Sequence, residues 1–127
     1  MKSNFKDLDV WKKGVELRKT IFQLTKKFPE TEKFRLADQM VRASRSITAN
    51  IAEGYGRFHF KENIQFCRHS RGSLFELIDQ LITSKDEALI QDKDYEKGRE
   101  LISKALALLN GYINYLSKQK VQLSNNK

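Results

Sequence analysis

Residues 36–56 read LADQMVRASRSITANIAEGYG, a segment that sorts into two faces only when wound as a helix. Leu36, Met40, Ala43, Ile47, Ile51 and Gly54 recur every three or four positions and form one stripe. Ala43, Ser44, Ser46, Ala49 and Ala52 keep the surface beside that stripe small, so a neighbouring backbone can approach closely. Arg35, Arg42 and Arg57 fall on the flank away from the stripe, and Arg45 points further round. Gly54-Tyr55-Gly56 predicts a glycine-assisted stop, giving a helix over about 35–55.

Upstream, Val10, Gly14, Leu17, Ile21, Leu24 and Phe28 alternate in steps of four and three, the seam of a helix over about 8–28. A second apolar line, Leu8, Trp11, Val15 and Phe22, lies about 100° around the same helix. A stripe that wide exceeds what one neighbour covers, so these four residues are the candidate oligomer interface. Pro29 is the stop, because the residue before a proline is pushed out of the α region.

Downstream, a helix over about 60–89 carries Phe60, Ile64, Cys67, Leu74, Phe75, Ile78, Leu81, Ile82 and Leu89 on one face. Arg71 falls on that face and needs a partner, since an unpaired buried guanidinium is costly. Gly72, unfavourable in mid-helix, is expected to serve close packing. Asp92 or Asp94 caps a last helix over about 93–119, with Leu101, Ile102, Ala105, Leu108, Leu109, Tyr112, Ile113 and Leu116 inward. A polar tail, 120–127, closes the chain. Four long helices with short connections predict one all-α domain over 1–127, an antiparallel up-down-up-down four-helix bundle.

Composition agrees. The 127 residues are 39% hydrophobic and 31% charged, with one proline and six glycines, too few turn formers for a sandwich or barrel. One cysteine excludes an internal disulfide framework and suits a reducing cytosol, so a cytoplasmic location is expected. The charged opening MKSNFKDLDVWKK does not resemble a signal peptide, and no apolar run is long enough for a membrane span. The net charge is +8, and residues 1–71 hold 16 basic against 8 acidic side chains, so the surplus is local. Such a surplus favours polyanions through counterion release.

Chemistry is sparse. Neither His59 nor His69 follows a glutamate by three positions, and Cys67 and His69 point to opposite sides of a helix, so no metal site or cofactor is expected. Cys67 lacks a local nucleophile signature, and Gly54-Tyr55-Gly56 is no phosphate loop, so no enzyme is expected. The informative run is Arg42 to Arg71, where basic and aromatic residues interleave. Arg42, Arg45, Arg57, Lys61 and Arg68 are the candidate nucleic-acid contacts, with Phe58 free to stack on a base and Phe60 suited to plug the bundle end. No short recognition helix is evident. Arg71 is expected in an ion network with Glu53, Glu76 or Asp38. The competing reading is a protein–protein scaffold in which these arginines organise an assembly.

The pattern D-Q-x-x-R-A-S/A-x-S-I-x-A-N-I-A-E-G, carried here by Asp38, Gln39, Arg42, Ala43, Ser46, Ile47, Ala49, Asn50, Ile51, Ala52, Glu53 and Gly54, resembles the family of 23S rRNA intervening-sequence proteins. Gly72, Ser73, Leu74 and Glu76 match its second signature, and the resemblance runs over about residues 5–118. It implies a left-handed bundle assembling as a ring-like homopentamer. Members are encoded inside 23S rRNA genes or as free-standing genes. A related branch, the accessory protein of diversity-generating retroelements, binds nucleic acid and partners a reverse transcriptase. The resemblance supplies no catalytic residue.

Overall fold

The computed structural model describes residues 4–125. Four helices follow one another: α1 (Asp9–Thr25), α2 (Leu36–Tyr55), α3 (Phe60–Asp86) and α4 (Asp92–Asn125). Short 3-10 turns at Phe5–Asp7 and Glu30–Glu32 precede α1 and α2, and no strand occurs among the described residues. Each helix packs on its chain neighbours and α1 closes on α4. Phe5 meets Tyr55 while Arg18 reaches Thr48, Ser70 reaches Ile47 while Ser84 reaches Met40, and Asn63 reaches Tyr112 while Leu81 lies against Gly98, so consecutive helices run antiparallel. The expected four-helix bundle is the observed fold.

The core is a single column of buried apolar side chains. Leu17 and Ile21 of α1, Met40, Ile47 and Ile51 of α2, Leu74, Leu77 and Leu81 of α3, and Ile102 and Leu109 of α4 are almost wholly removed from water. Two positions expected on the inner face of α3 are not inside: Phe75 is 57% and Ile82 40% exposed. Both lie at the edge of the stripe, where a small rotation of the helix turns a residue outward.

The seam between α2 and α3 is the closest and most polar. The buried Ser70 hydroxyl donates to the Ile47 carbonyl at 2.9 Å, and Ser73 donates to Ser46 Oγ at 2.9 Å. At the far end, Gly54 faces α3 so closely that a Cβ there would lie 2.9 Å from Phe66 Cβ and 3.0 Å from the Asn63 carbonyl oxygen. Gly56 ends α2 with φ −75°, so the stop uses no left-handed turn, and close approach is the use of Gly54 alone. Gly72 does not serve close packing within the chain, because a Cβ there would meet nothing within 4 Å.

The ends differ from the periodicity in instructive ways. α1 stops at Thr25, three residues before Phe28, as the last turn tightens ahead of Pro29; Phe28 stays buried all the same. α4 starts at Asp92, and Asp94 accepts the backbone N–H of Gln91 at 3.2 Å, so Asp94 ties down the start from inside the helix. α4 also runs on to Asn125, through residues read as tail, while 126–127 lie outside the described residues. α3 ends in a hydrogen-bonded cap in which Leu89 N–H donates to the Ser84 carbonyl and Ala88 N–H to that of Lys85. Ala88 holds φ 59° there, a conformation that costs an L-residue about 1–2 kcal/mol. Ala88→Gly should therefore raise stability by about 1 kcal/mol, read as a higher denaturant midpoint with unchanged slope.

Candidate nucleic-acid interface

Arg18, Lys19 and Phe22 of α1 and Lys26 at its C-cap share one side because they are spaced by helical turns. On α2, Val41, Ser44 and Arg45 occupy the facing side. Arg18, Lys19, Phe22, Val41, Ser44 and Arg45 together line an open groove of about 190 Å³. The Arg18 guanidinium is half-buried and fixed by donating to Thr48 Oγ1 at 3.0 Å, whereas Lys19 and Arg45 stand in solvent. Phe22, 41% exposed, forms the apolar wall, with the Lys26 ammonium 4.5 Å from its ring centroid. No carboxylate lines this groove.

The neighbouring α1–α4 face mixes its signs: Lys19, Lys27 and Lys97 line an open groove there with Asp94 among them. Lys13 pairs with Glu16 at 2.8 Å and Lys104 with Glu100 at 2.9 Å. Each lysine hydrogen-bonds its carboxylate and holds it below the usual carboxylate range. The α1–α2 groove thus differs from this face in having no carboxylate among its cations.

The five residues expected to contact nucleic acid divide. Arg42 pairs with Asp38 at 3.1 Å. Arg57 is bound to Glu53 at 2.8 Å and Glu62 at 3.6 Å, with its guanidinium 4.8 Å from the Phe66 ring centroid, so it staples α2 to α3. Arg45, Lys61 and Arg68 are exposed and have no acidic partner among the described residues. Only Arg45 enters the groove; Lys61 and Arg68 lie on the outward side of α3. Arg18 and Lys19 were not anticipated, because the basic run was read along the chain whereas the groove is assembled across two antiparallel helices. Phe58 is 94% exposed, at the α2–α3 junction away from these residues, and Phe60 packs against the core.

Two expectations need correction. Arg71 is not in an ion network: its guanidinium donates to Asn110 Oδ1 on α4 at 3.0 Å. Glu53 and Asp38 are taken by Arg57 and Arg42, and Glu76 accepts a long 3.5 Å contact from Gln80. Arg71 lies on the α4 side of α3, turned away from the α2 seam, and there meets an amide. The apolar line on α1 is also largely spent inside the chain. Leu8 and Trp11 pack against the core, Trp11 also meeting the Phe5 ring edge-on at 5.4 Å, and Val15 is half-buried, which leaves Phe22 as the exposed member.

Cys67 is fully buried, and burial pushes its thiol from the ordinary 9.0 to about 12, so no thiolate is present at neutral pH. It donates to Asn63 Oδ1 at 3.6 Å, and Asn63 Nδ2 donates to the Tyr112 hydroxyl at 3.0 Å, joining α3 to α4. Burial raises the Tyr112 phenol as well. Unfolding lets both groups ionise, so their contribution is intact below pH 9 and is lost as pH rises toward about 12. Cys67→Ala should flatten that alkaline decline in a series of denaturant melts, while Tyr112 keeps part of it. Among the described residues, no group of three or more His, Cys, Asp or Glu is placed to hold a metal, and no helix is long and apolar enough to cross a membrane.

A solved structure from Bacteroides thetaiotaomicron, described as a protein of unknown function from the S23 ribosomal protein family, shares this fold. It has 24% identity and a TM-score of 0.76 over 82% of this chain and 97% of that one. No curated protein matches. The model of the 23S rRNA-intervening sequence protein family matches residues 6–111. Ser46, Ile47, Gly54 and Ser73 build the α2–α3 seam inside the matched span, and on that match the chain belongs to the 23S rRNA-intervening sequence protein family.

Proposed function

We propose that this chain is a non-enzymatic, homo-oligomeric nucleic-acid-binding protein that grips the phosphate backbone through the α1–α2 groove. The observation that carries the reading is the set of Arg18, Lys19 and Arg45 around the exposed Phe22 with no carboxylate among them. Three cations at one edge neutralise successive phosphates, and the Phe22 ring offers a face for a base. Irregular or single-stranded RNA suits this surface better than duplex DNA, because the bundle presents no short helix to enter a major groove.

Titration of a fluorescently labelled stem-loop RNA tests the proposal. Lys19→Gln with Arg45→Gln, both on exposed side chains, should weaken binding by roughly tenfold or more, given about 1 kcal/mol per lost charged contact. Lys118→Gln with Lys120→Gln removes the same charge from exposed positions on α4 and should leave affinity nearly unchanged. Equal losses from the two pairs would mean diffuse attraction and no groove. RNA indifference of the parent chain would favour the scaffold role.

A further inference from the structure

Two hollows meet where α1 packs against the start of α4 and the turn before it. The first, about 300 Å³, is walled by Lys19, Gln23 and Lys27 of the α1 side and Lys97 of α4. The second, about 280 Å³, continues it along the α3–α4 turn, over Leu24, Leu89 and Ile90, with Lys93 at its edge. Leu24, Lys27 and Asp94 belong to both, so the two form one trough, and together they reach the size of small-molecule sites, about 300–1,000 Å³. Its halves differ in chemistry. Lys19, Lys27, Lys93 and Lys97 are exposed, and none has a carboxylate within ion-pair reach among the described residues. The floor of the second half is apolar: Leu24 is buried, and Leu89 and Ile90 are half-buried against the core. Asp94, at the junction, spends one oxygen on the Gln91 N–H at 3.2 Å and has no ion-pair partner.

We infer that this trough seats one nucleoside phosphate. The base lies on Leu24, Leu89 and Ile90. The sugar sits at the junction, where the second Asp94 oxygen accepts one of its hydroxyls, and the phosphate reaches Lys19, Lys27 and Lys97. Apolar floor, carboxylate and cations thus follow one another in the order of base, sugar and phosphate. A bare anion has no use for the apolar half, and an apolar ligand has none for four unpaired lysines. The carboxylate that makes the trough unsuited to a run of phosphates suits a ligand whose charge adjoins hydroxyl groups. Two sources carry this chemistry, a free nucleotide and the phosphorylated end of an RNA strand. Lys19 also lines the α1–α2 groove, so a strand held there crosses α1 at Lys19 and brings its end into the trough. The strand-end source rests on the RNA reading above, whereas the free nucleotide does not.

Calorimetric titration with ATP and with sodium tripolyphosphate tests the seat without RNA. ATP should bind once per chain, and tripolyphosphate, which has the charge but no base, should bind about tenfold more weakly or worse. Lys27→Gln with Lys97→Gln, both exposed and without an ion pair to break, should weaken ATP by about tenfold or more. Lys118→Gln with Lys120→Gln should leave ATP binding unchanged, and so should Arg45→Gln, which weakens RNA from outside the trough. A stem-loop RNA with a 5′-phosphate then separates the sources. Tighter binding than its 5′-hydroxyl counterpart, erased by Lys27→Gln with Lys97→Gln, marks the strand end; no such gain, with ATP bound as above, marks the free nucleotide. Indifference to RNA of both kinds would remove the RNA reading and leave ATP to decide this one. Absence of both ATP binding and a 5′-phosphate gain would overturn the inference. Equal affinities for ATP and tripolyphosphate, or equal losses from the two lysine pairs, would do the same.

Discussion

Gly54→Ala should cost about 2–3 kcal/mol, whereas Gly72→Ala, the same change in the next helix, should stabilise the chain by up to about 1 kcal/mol. A methyl at Gly54 would lie 2.7 Å from Asn63 Oδ1, 2.9 Å from Phe66 Cβ and 3.0 Å from a backbone carbonyl. The Asn63 side chain has little freedom to move, since it is tied to Cys67 and Tyr112. The α2–α3 seam must therefore open at that end, and the loss exceeds the gain in helix propensity. At Gly72 the methyl enters open space, so propensity acts alone. Paired urea melts check the signs. Equal signs would mean that the seam is not as tight as its geometry.

Leu74→Ala should cost about 2–5 kcal/mol, because Leu74 is fully enclosed and the helices around it cannot collapse onto the gap. Phe75→Ala, one residue along and a larger truncation, should change the stability of the single chain by less than about 0.5 kcal/mol. Thermal melts of both variants at low protein concentration separate the two. A costly Phe75→Ala under those conditions would show that its ring packs inside the chain.

The pair also shows how far the sequence could be read. Steps of three and four placed all four helices, and the small residues of 43–54 announced a close seam. Periodicity gives the direction in which a side chain leaves its helix, but not the exact rotation of the helix against its neighbours. At the edge of a stripe that rotation decides burial, which is why Leu74 was placed correctly and Phe75 and Ile82 were not. Periodicity does not name the neighbouring helix that a side chain meets. Arg71 was assigned an acidic partner on α2 or α3, but it faces α4, where Asn110 waits.

The basic site was half legible for a related reason. Arg45 stood out within a cationic run, but Arg57 and Arg42 in that run are neutralised by carboxylates one helical turn away. The groove needs Arg18 and Lys19, which are far from Arg45 in sequence and become its neighbours only through the antiparallel register of α1 and α2. Gly14 fixes that register: its Cβ position lies against Thr48, the residue that also receives Arg18.

The central claim is that the α1–α2 groove neutralises phosphates, and the salt dependence of RNA affinity measures this directly. Three groove cations predict a slope of log affinity against log salt of about −2 for an unpaired strand, at about −0.7 per neutralised phosphate. Lys19→Gln with Arg45→Gln should bring the slope to about −0.7. A slope unchanged by those substitutions, or an affinity indifferent to salt, would contradict the account.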